Sequence, residues 1–265
     1  MKYRDLPIQT QREFPNNART EGFGWLVRAG YVTRENELTS LGEYTVHHLR
    51  ELATSDASSF FVHLSLPTLS NDNETFFPIS TGSQDIIYCT SESCVYPVAR
   101  KELATFKKTP FSQESPLPTE KVITPDCHTI EALASFLNIP KEKTAKALMF
   151  TRIADGKFVF VVIRGDMTLS EAKLKNAIGE IRLATVEEIE LAGAAAGFAS
   201  PVGLKDALIV VDDLIPQSPN LVAGANEDGY HLLNVNCGRD YTPELVTDLV
   251  LANAGDACPL CGKEL

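Results

Sequence analysis

The sequence lacks both a long apolar run and an excess of positive charge. Its longest apolar run, residues 158–163, is far shorter than the roughly 20 residues that span a bilayer, so we expect no membrane partner. No apolar segment follows Lys2 and Arg4, so we expect no signal peptide and predict a cytoplasmic protein. The net charge of −11 argues against a broad electrostatic grip on nucleic acid. An RNA ligand would need a local basic cluster or a partner protein.

Several catalytic signatures are also missing. The sequence has no nucleophile elbow, no phosphate-binding glycine loop and no dinucleotide fingerprint. A serine–histidine–aspartate mechanism therefore has no support. Six cysteines are present. Structural disulfides are not expected in a cytosolic chain, so closely spaced cysteines suggest metal ligands first.

What is present is the composition of a folded globular protein, with 44% hydrophobic and 22% charged residues. A length of 265 residues allows one large domain or two modest ones. Residues 107–119 contain three prolines among several Ser, Thr and Gln, so we predict a linker over 106–120. This divides the chain into a smaller α+β module at 1–105, an α/β (α+β) domain at 121–250 and a short tail at 251–265.

Hydrophobic periodicity and capping residues predict the secondary structure. In the first module we predict helices over 23–29 and 41–52 and strands over 60–66, 76–79 and 85–88. In the second we predict a helix after Thr129 and strands over 147–151, 158–163, 208–212 and 230–236. Thr168 and Thr185 each begin a capping box, and Thr242 precedes a proline, so each predicts a further helix. Interleaved helices and strands favour a mixed sheet with flanking helices.

Two short motifs could bind a ligand. Lys141, Lys143 and Lys146 place three ammonium groups between a helix and a strand, where they could hold a phosphate or the terminal ribose-phosphate of RNA. From the charges alone, a solvated loop is the alternative that they favour. Arg164 and Asp166 flank a glycine after a strongly apolar strand, and they could reach a ligand or form a plain strand-to-helix turn.

A third segment is rich in polar side chains. It runs from Gly224 through a glycine-rich turn to His231. His231 could hydrogen-bond a ligand amine or carbonyl, or could be structural. The polar groups that follow at the strand end are harder to explain by packing alone. They are Asn234, Asn236, Arg239 and Asp240.

Five runs of the sequence, in this order, resemble the editing insertion of bacterial prolyl-tRNA synthetases and the free-standing deacylases related to it. The resemblance extends over about 130 residues, and the runs are its matched stretches. They are residues 124–133, 143–148, 162–166, 223–231 and 236–240.

The resemblance implies a hydrolase that removes alanine wrongly attached to the tRNA for proline. It implies that Thr124 and Lys146 are pocket residues, with Lys146 holding the 3′ end of the tRNA. Asp212 and His231 match the family's pocket acid and histidine, and these four form the predicted catalytic set. A glycine-rich loop appears at residues 197–203, with Ser200 where the family has glycine. The further substrate-binding residues we predict are Lys143, Arg164, Asp166, Gly197, Ser200, Gly203, Gly224, Asn226, Asn236 and Arg239.

The ester between an amino acid and ribose is already activated. A small pocket, a positioned water and backbone N–H groups facing the oxyanion could therefore suffice for hydrolysis. We expect a water-mediated reaction without a covalent intermediate and without a cofactor.

Pieces of residues 1–105 resemble the catalytic core of the same class II synthetases. The family's ATP-gripping arginine motif has no counterpart between Pro67 and Asp85, and the sequence ends before the family's last catalytic motif and anticodon-binding domain. We therefore expect no proline activation and predict an editing enzyme that acts in trans, with tRNA, a full-length synthetase or a second copy of itself as partners. Two alternatives stay open: a non-catalytic regulator that binds tRNA or a synthetase, and a fragment of a proline–tRNA ligase.

Two cysteine pairs flank the editing domain. If the ends of that domain lie close together, four thiolates could meet in a tetrahedral structural zinc site. Reduced, metal-free cysteines are the alternative. The pairs are Cys89 with Cys94 and Cys258 with Cys261.

Overall fold

The structure is a computed structural model that describes residues 10, 13–16, 18, 20–63, 69–71, 74–76, 82 and 84–265, with only the backbone at 53–63. The chain divides into two compact units. The first is Met1–Leu69 with Thr75–Ile79, and the second is Ser70–Glu74 with Ser80–Leu265. Across the described residues, no helix combines the length and apolar character needed to cross a membrane.

Two helices dominate the first unit. Helix α1 spans Glu21–Arg28 and α2 spans Ser40–His63, which confirms both predicted helices. Thr20 caps α1 by accepting a hydrogen bond from the backbone N–H of Phe23 at 3.2 Å.

The strand predicted over 60–66 is wrong for residues 60–63, which continue α2; residues 64–66 lie outside the described part. No proline or glycine interrupts residues 43–66, and extending an existing helix costs less than starting a strand. Two short strands follow, β1 (Leu69–Ser70) and β2 (Thr75–Phe76). The second overlaps the start of the strand predicted over 76–79, whose last three residues are not described.

The second unit contains three α-helices and ten strands within its described residues. In chain order they are β3 (Ile86–Ile87), β4 (Ala99–Arg100), β5 (Glu120–Ile123), α3 (Ile130–Leu137), β6 (Ala145–Arg152), β7 (Phe158–Arg164), α4 (Glu171–Ile178), β8 (Ile181–Leu183), α5 (Val186–Leu191), β9 (Leu208–Asp212), β10 (Leu221–Gly224), β11 (Tyr230–Val235) and β12 (Leu245–Thr247).

A five-stranded mixed sheet forms the centre of this unit, in the order β12-β9-β7-β6-β8. Strand β7 is buried along its whole length because it lies between antiparallel β6 and parallel β9. Its side chains alternate between two hydrophobic clusters on opposite faces of the sheet, with Phe160 and Val162 in one and Val161 and Ile163 in the other. The predicted mixed-sheet α/β (α+β) fold is confirmed.

A second sheet has the order β10-β11-β5 and is antiparallel throughout. Its register sets His231 opposite Val122 on one side and Gly224 on the other. The sequence predicted β6, β7, β9 and β11 but not β5, β8 or β10. Strand β5 has mostly exposed residues, and its sequence Glu-Lys-Val-Ile lacks an apolar alternation.

Helix ends confirm two predicted caps and correct two others. Thr129 caps α3, and Thr185 with Glu188 forms a complete capping box on α5. The cap of α4 is Ser170 and not Thr168, which lies two residues too early. Residues after Thr242 form no helix, because the Glu244 N–H donates to the Ile209 carbonyl and draws the chain onto the sheet edge as β12.

Residues 106–119 contain no helix or strand, as expected of a connecting segment, yet Lys108 anchors them. Its ammonium contacts three carboxylates, those of Asp212 at 2.6 Å, Asp248 at 2.7 Å and Asp213. Asp248 also accepts from Lys173 at 2.8 Å. Burial disfavours the charged form of Asp248, but hydrogen bonds from both lysines outweigh it and lower the pKa of this carboxyl. These buried ion pairs hold residues 106–119 against the sheet.

Residues 84–105 lie in the second unit, although the sequence assigned them to the first module. Ile87 and Ala104 pack in one hydrophobic cluster with Ala252, Cys258 and Leu265 from the end of the chain. The functional domain boundaries at 105 and 250 stay predictions.

Replacing Lys108 with Met should strongly destabilise the second unit. The change leaves Asp212, which has no exposed side-chain surface, with an unpaired charge. Breaking a buried ion pair from one side costs about 3–5 kcal/mol, and we expect a loss of that order in the free energy of unfolding, measured by urea denaturation.

Lys101→Met is the matched control. Its ammonium lies 3.8 Å from a carboxylate oxygen of Asp85, whose side chain is 80% exposed. An exposed pair contributes about 0–1 kcal/mol. Equal losses in the two variants would show that the buried cluster does not fasten the segment.

Candidate functional site

A small pocket opens between the two sheets of the second unit, beside the N-terminus of α3. Its volume is about 120 Å³. Strand β6 supplies one wall, the glycine-rich loop another, and β10 and β11 supply Gly224 and His231. The lining residues are Cys127, His128, Thr129, Ile130, Leu133, Ala145, Lys146, Ala147, Met149, Gly197, Ala199, Gly224 and His231.

His231 is held against the pocket by Thr124, another predicted site residue. Strands β11 and β5 pair side by side, so the residue that follows β5 lies next to His231. The Thr124 hydroxyl lies 2.6 Å from Nδ1 of His231 and 3.5 Å from the Gly229 carbonyl oxygen. If the hydroxyl donates to Gly229, it accepts from Nδ1–H. In that tautomer Nε2, the other ring nitrogen of His231, is a hydrogen-bond acceptor.

The imidazole of His231 is neutral at physiological pH. Only 4% of the residue is exposed. Burial disfavours the charged ring and lowers the pKa of His231 to about 4. A neutral, fixed imidazole can accept a hydrogen bond from a water or an ammonium group.

Phe198 lies between two histidines at the pocket. Its ring meets His231 with centroids 5.3 Å apart and His128 with centroids 4.9 Å apart, both edge to face. His128 was not among the predicted site residues. The sequence signal that could have identified it is its position directly before the helix cap Thr129. Residues that precede a helix N-terminus lie close to any ligand bound there.

Two glycines allow the backbone to approach closely at the pocket. Gly197 has φ +84°, in the left-handed region. A Cβ on Gly224 would overlap the backbone carbonyl of Phe198. Asn226 ties the loop in place, since its side chain accepts from the Ser200 N–H at 2.8 Å and donates to the carbonyls of Ser200 and Val202. Ser200 is fully buried, so its hydroxyl is not in the pocket lining.

Lys146 lies in the pocket wall, as predicted, at the start of β6. Its ammonium donates to the Met167 carbonyl at 2.7 Å. Alternation along β6 places Ala145 and Ala147 on the face of one hydrophobic cluster and Leu148 on the other. Lys146 therefore shares the face of Leu148, opposite the two alanines, and it lies in the pocket lining with its ammonium bound to the Met167 carbonyl.

Asp212 is not in the pocket lining. Its carboxylate accepts from Lys108 and from the N–H groups of Leu214 at 3.1 Å and Leu249 at 2.9 Å. Burial raises its pKa despite these donors. The structure gives Asp212 a place in the charge cluster that fastens residues 106–119; its predicted role at the substrate stays a prediction.

Other predicted binding residues are also engaged elsewhere. Arg164 forms a two-point ion pair with Asp166 at 2.6 and 2.8 Å and donates to the Thr109 carbonyl. Lys143 binds Glu114 at 2.7 Å beside a separate cavity. Both contacts tie residues 109–114 to the sheet.

The polar strand end after β11 forms an internal network. The Asn236 side chain donates to Asn220 Oδ1 at 3.2 Å and accepts from the Asn220 N–H at 3.0 Å. Arg239 binds Asp240 and the Leu117 carbonyl, the latter at 2.6 Å. Gly203 lines a separate open depression near Asp240. These residues shape the fold around the pocket, and none of them lines it.

The four predicted metal-ligating cysteines converge at one place. All four sulfur atoms lie within 4.8 Å of one another, away from the residues that line the pocket. The expectation that the two ends of the editing domain meet is confirmed for Cys89, Cys94, Cys258 and Cys261.

These features define an α/β domain with a small pocket. The neutral imidazole of His231 lines this pocket and can contact a bound ligand. Residues 124–241 match the family model described as the aminoacyl-tRNA editing domain. The second unit therefore contains an aminoacyl-tRNA editing domain, and the resemblance proposed from the sequence is confirmed.

Curated relatives of the chain are proline–tRNA ligases. The enzyme of Dehalococcoides mccartyi is 47% identical over 191 residues, which cover 71% of this chain and 33% of that protein. The enzyme of a Sulfurihydrogenibium species is 34% identical over 275 aligned positions, 98% of this chain and 48% of that protein. The chain thus spans between a third and a half of these relatives.

Solved structures of similar fold are smaller than this chain. One, described as a proposed trans-editing enzyme for prolyl tRNA synthetase, is 22% identical with a TM-score of 0.43 and covers 51% of this chain and 87% of that one.

The imidazole of His231 should titrate near pH 4, well below the ordinary value of about 6.5. Because the unfolded chain binds this proton near pH 6.5, the free energy of unfolding should fall as the pH is lowered from about 6.5 towards 4. Histidine NMR resonances recorded between pH 3.5 and 8 measure the pKa directly, with His231→Gln providing the assignment. Titration of that resonance at about 6.5 would contradict a buried, neutral ring.

Proposed function

We propose that this protein hydrolyses the ester of wrongly charged aminoacyl-tRNA, with the aminoacyl group in the pocket. The observation that carries the proposal is the pairing of Thr124 with a neutral, buried His231 at the edge of a small cavity. This pair lies within the residues that match the aminoacyl-tRNA editing domain.

The reaction needs a water and a stabilised oxyanion. The water oxygen adds to the ester carbonyl carbon, the bond to the ribose oxygen breaks, and a proton passes to that oxygen. The N-terminus of α3 borders the pocket at Thr129 and Ile130, so its free N–H groups and positive dipole end favour the negative charge of the intermediate. Nε2 of His231 can accept a hydrogen bond from the water or the substrate's α-ammonium group.

Such a mechanism uses no covalent enzyme intermediate. The pocket lining contains one thiol, Cys127, and burial raises its pKa, which keeps it protonated and poorly nucleophilic. The hydrolysis we propose draws no group from the four-cysteine cluster, whose residues do not line the pocket.

A small amino acid is the substrate we propose, with alanine first. The walls contributed by β6 and the glycine-rich loop are methyl-sized at Ala145, Ala147 and Ala199. An apolar cavity of about 150 Å³ accommodates benzene, so a volume of about 120 Å³ holds a small side chain with a water molecule. The tRNA for proline is proposed because the relatives act as proline–tRNA ligases.

The tRNA should be gripped mainly at its 3′ end. With a net charge of −11, the protein offers little general attraction for the rest of the molecule. Lys146 stands at the pocket edge and needs to exchange only one carbonyl contact to bind the terminal phosphate or ribose. We propose action in trans, in the cytoplasm, with a full-length synthetase or a second copy of the chain as partner.

A second reading is that the chain corresponds to a part of a proline–tRNA ligase. The alignment with the Sulfurihydrogenibium enzyme favours it, since it covers 98% of this chain and 48% of the ligase. Editing would then act in cis on tRNA charged by the same polypeptide. Both readings place the same reaction in the same pocket.

A deacylation panel tests the proposed activity. Incubation with the tRNA for proline charged with alanine, serine, cysteine or proline should give fastest loss of alanine and negligible loss of proline. Binding of the charged tRNA without hydrolysis of any ester would contradict the enzyme and favour the non-catalytic regulator.

Lys146→Ala should lower alanyl-tRNA hydrolysis by about 10- to 100-fold, as expected for losing a hydrogen bond to a charged group. Lys175→Ala is the control, because that ammonium pairs with Glu180 on the surface and does not line the pocket. Full activity of the Lys146 variant would show that this residue does not bind the substrate.

Gly224→Ala should abolish hydrolysis by pushing the loop at Phe198 into the pocket, since the added methyl group overlaps that backbone. Gly22→Ala adds the same methyl group in α1, where nothing lies within 4 Å, and should leave activity unchanged. Circular dichroism would show whether the Gly224 variant is folded. A folded Gly224 variant with normal activity would show that hydrolysis does not take place in this pocket.

A further inference from the structure

We propose that Cys89, Cys94, Cys258 and Cys261 bind one structural zinc ion. Their sulfur atoms form a compact group in which every pair lies within 4.8 Å. The two pairs come from segments more than 160 positions apart, and each contact joins one segment to the other. The site is independent of the hydrolysis proposed above.

The distances match a tetrahedral thiolate site. A Zn–S bond of about 2.3 Å places the sulfur atoms of a regular tetrahedron about 3.8 Å apart. Here Cys94 and Cys258 are separated by 3.7 Å and Cys89 and Cys261 by 3.4 Å. A disulfide needs about 2.05 Å, and all four cysteines are free. The arrangement is therefore that of four ligands around an ion.

The backbone around the cysteines supports this assignment. Cys258 and Cys261 lie in a tight turn closed by a hydrogen bond from the Gly262 N–H to the Cys258 carbonyl at 2.9 Å, with Gly262 at φ +73°. The Ser91 N–H points at the Cys89 sulfur from 3.5 Å. Such donors stabilise a thiolate and orient it towards a metal.

The site would be closed, and its role would be to join two parts of the second unit. Four protein ligands leave no open position for a substrate or water, which is typical of structural zinc. The Thr90 hydroxyl and N–H both donate to the Glu264 carbonyl, at 2.8 and 3.0 Å, so the same two segments also meet through the backbone. Behind them, Ile87, Ala104 and Ala252 form a small hydrophobic cluster.

Elemental analysis of the full chain, purified without chelator, tests the proposal. We expect close to one equivalent of zinc per chain. Replacement by Co²⁺ should give the visible absorption bands of tetrahedral thiolate coordination. Less than about a tenth of an equivalent of zinc, both as purified and after reconstitution with Zn²⁺, together with no such bands after reconstitution with Co²⁺, would overturn the site.

Cys261→Ser should reduce bound zinc to a small fraction of the wild-type amount, since this exposed residue supplies a ligand and little packing. Cys237→Ser makes the same change outside the cluster and should retain the metal. If the Cys261 variant misfolds, titration of the wild-type protein with a mercurial reagent gives a second measurement. Zinc release in step with modification of four thiols supports the site, and modification of all thiols without release contradicts it. Because these readouts measure metal and not deacylation, failure of the editing activity would leave them unaffected.

Discussion

The burial of β7 on both faces is the constraint on which the second unit depends. A strand with no solvent-facing side must have a hydrogen-bonded neighbour on each edge and a packed layer on each face. The β7 edges are taken by β6 and β9, and the two hydrophobic clusters fill the faces. Because β6 lies beside β7, Lys146 and the alanines of β6 lie at the pocket. Because β9 lies on the other side, Asp212 at its end contacts Lys108, which holds residues 106–119.

Two opposite uses of burial determine the electrostatics of this unit. At His231, burial without a charged partner lowers the imidazole pKa and keeps the ring neutral beside the pocket. At Lys108, burial is offset by three carboxylates, so the charges persist and fasten the chain. The site thus gains an uncharged hydrogen-bonding group, while the ion pairs that stabilise the fold stay outside it. An acidic protein can in this way present an uncharged imidazole at the pocket to the end of an anionic tRNA.

The strongly patterned parts of the sequence predicted their own structure. Thr129, and Thr185 with Glu188, cap helices as expected, and the apolar runs at β7 and β9 form strands. Segments without such patterns were missed, among them β5, whose residues are mostly exposed, and β12, which forms only because Glu244 binds the edge of β9. A sequence pattern indicates only the local preference of the chain for helix or strand. These strands form because a neighbouring strand offers an edge with which they can pair.

For the site, the resemblance selected five residues that the fold brings to one pocket or directly behind it: Thr124, Lys146, Gly197, Gly224 and His231. The same reasoning grouped them with Arg164, Asp166, Lys143 and Arg239, which the structure engages in other contacts. His128, whose ring contacts Phe198 and which also lines the pocket, was not selected, although its position before the cap Thr129 was a usable signal.

The sequence by itself determined the family, the alternation of helices and strands, and the residue types available for chemistry, because these follow from local order along the chain. The tertiary structure alone decided which of those residues meet. The convergence of Cys89 and Cys94 with Cys258 and Cys261, and the division of polar groups between pocket and scaffold, depend on contacts between positions more than 100 residues apart. No spacing along the chain encodes such distances, because they are fixed only when the sheet closes around β7.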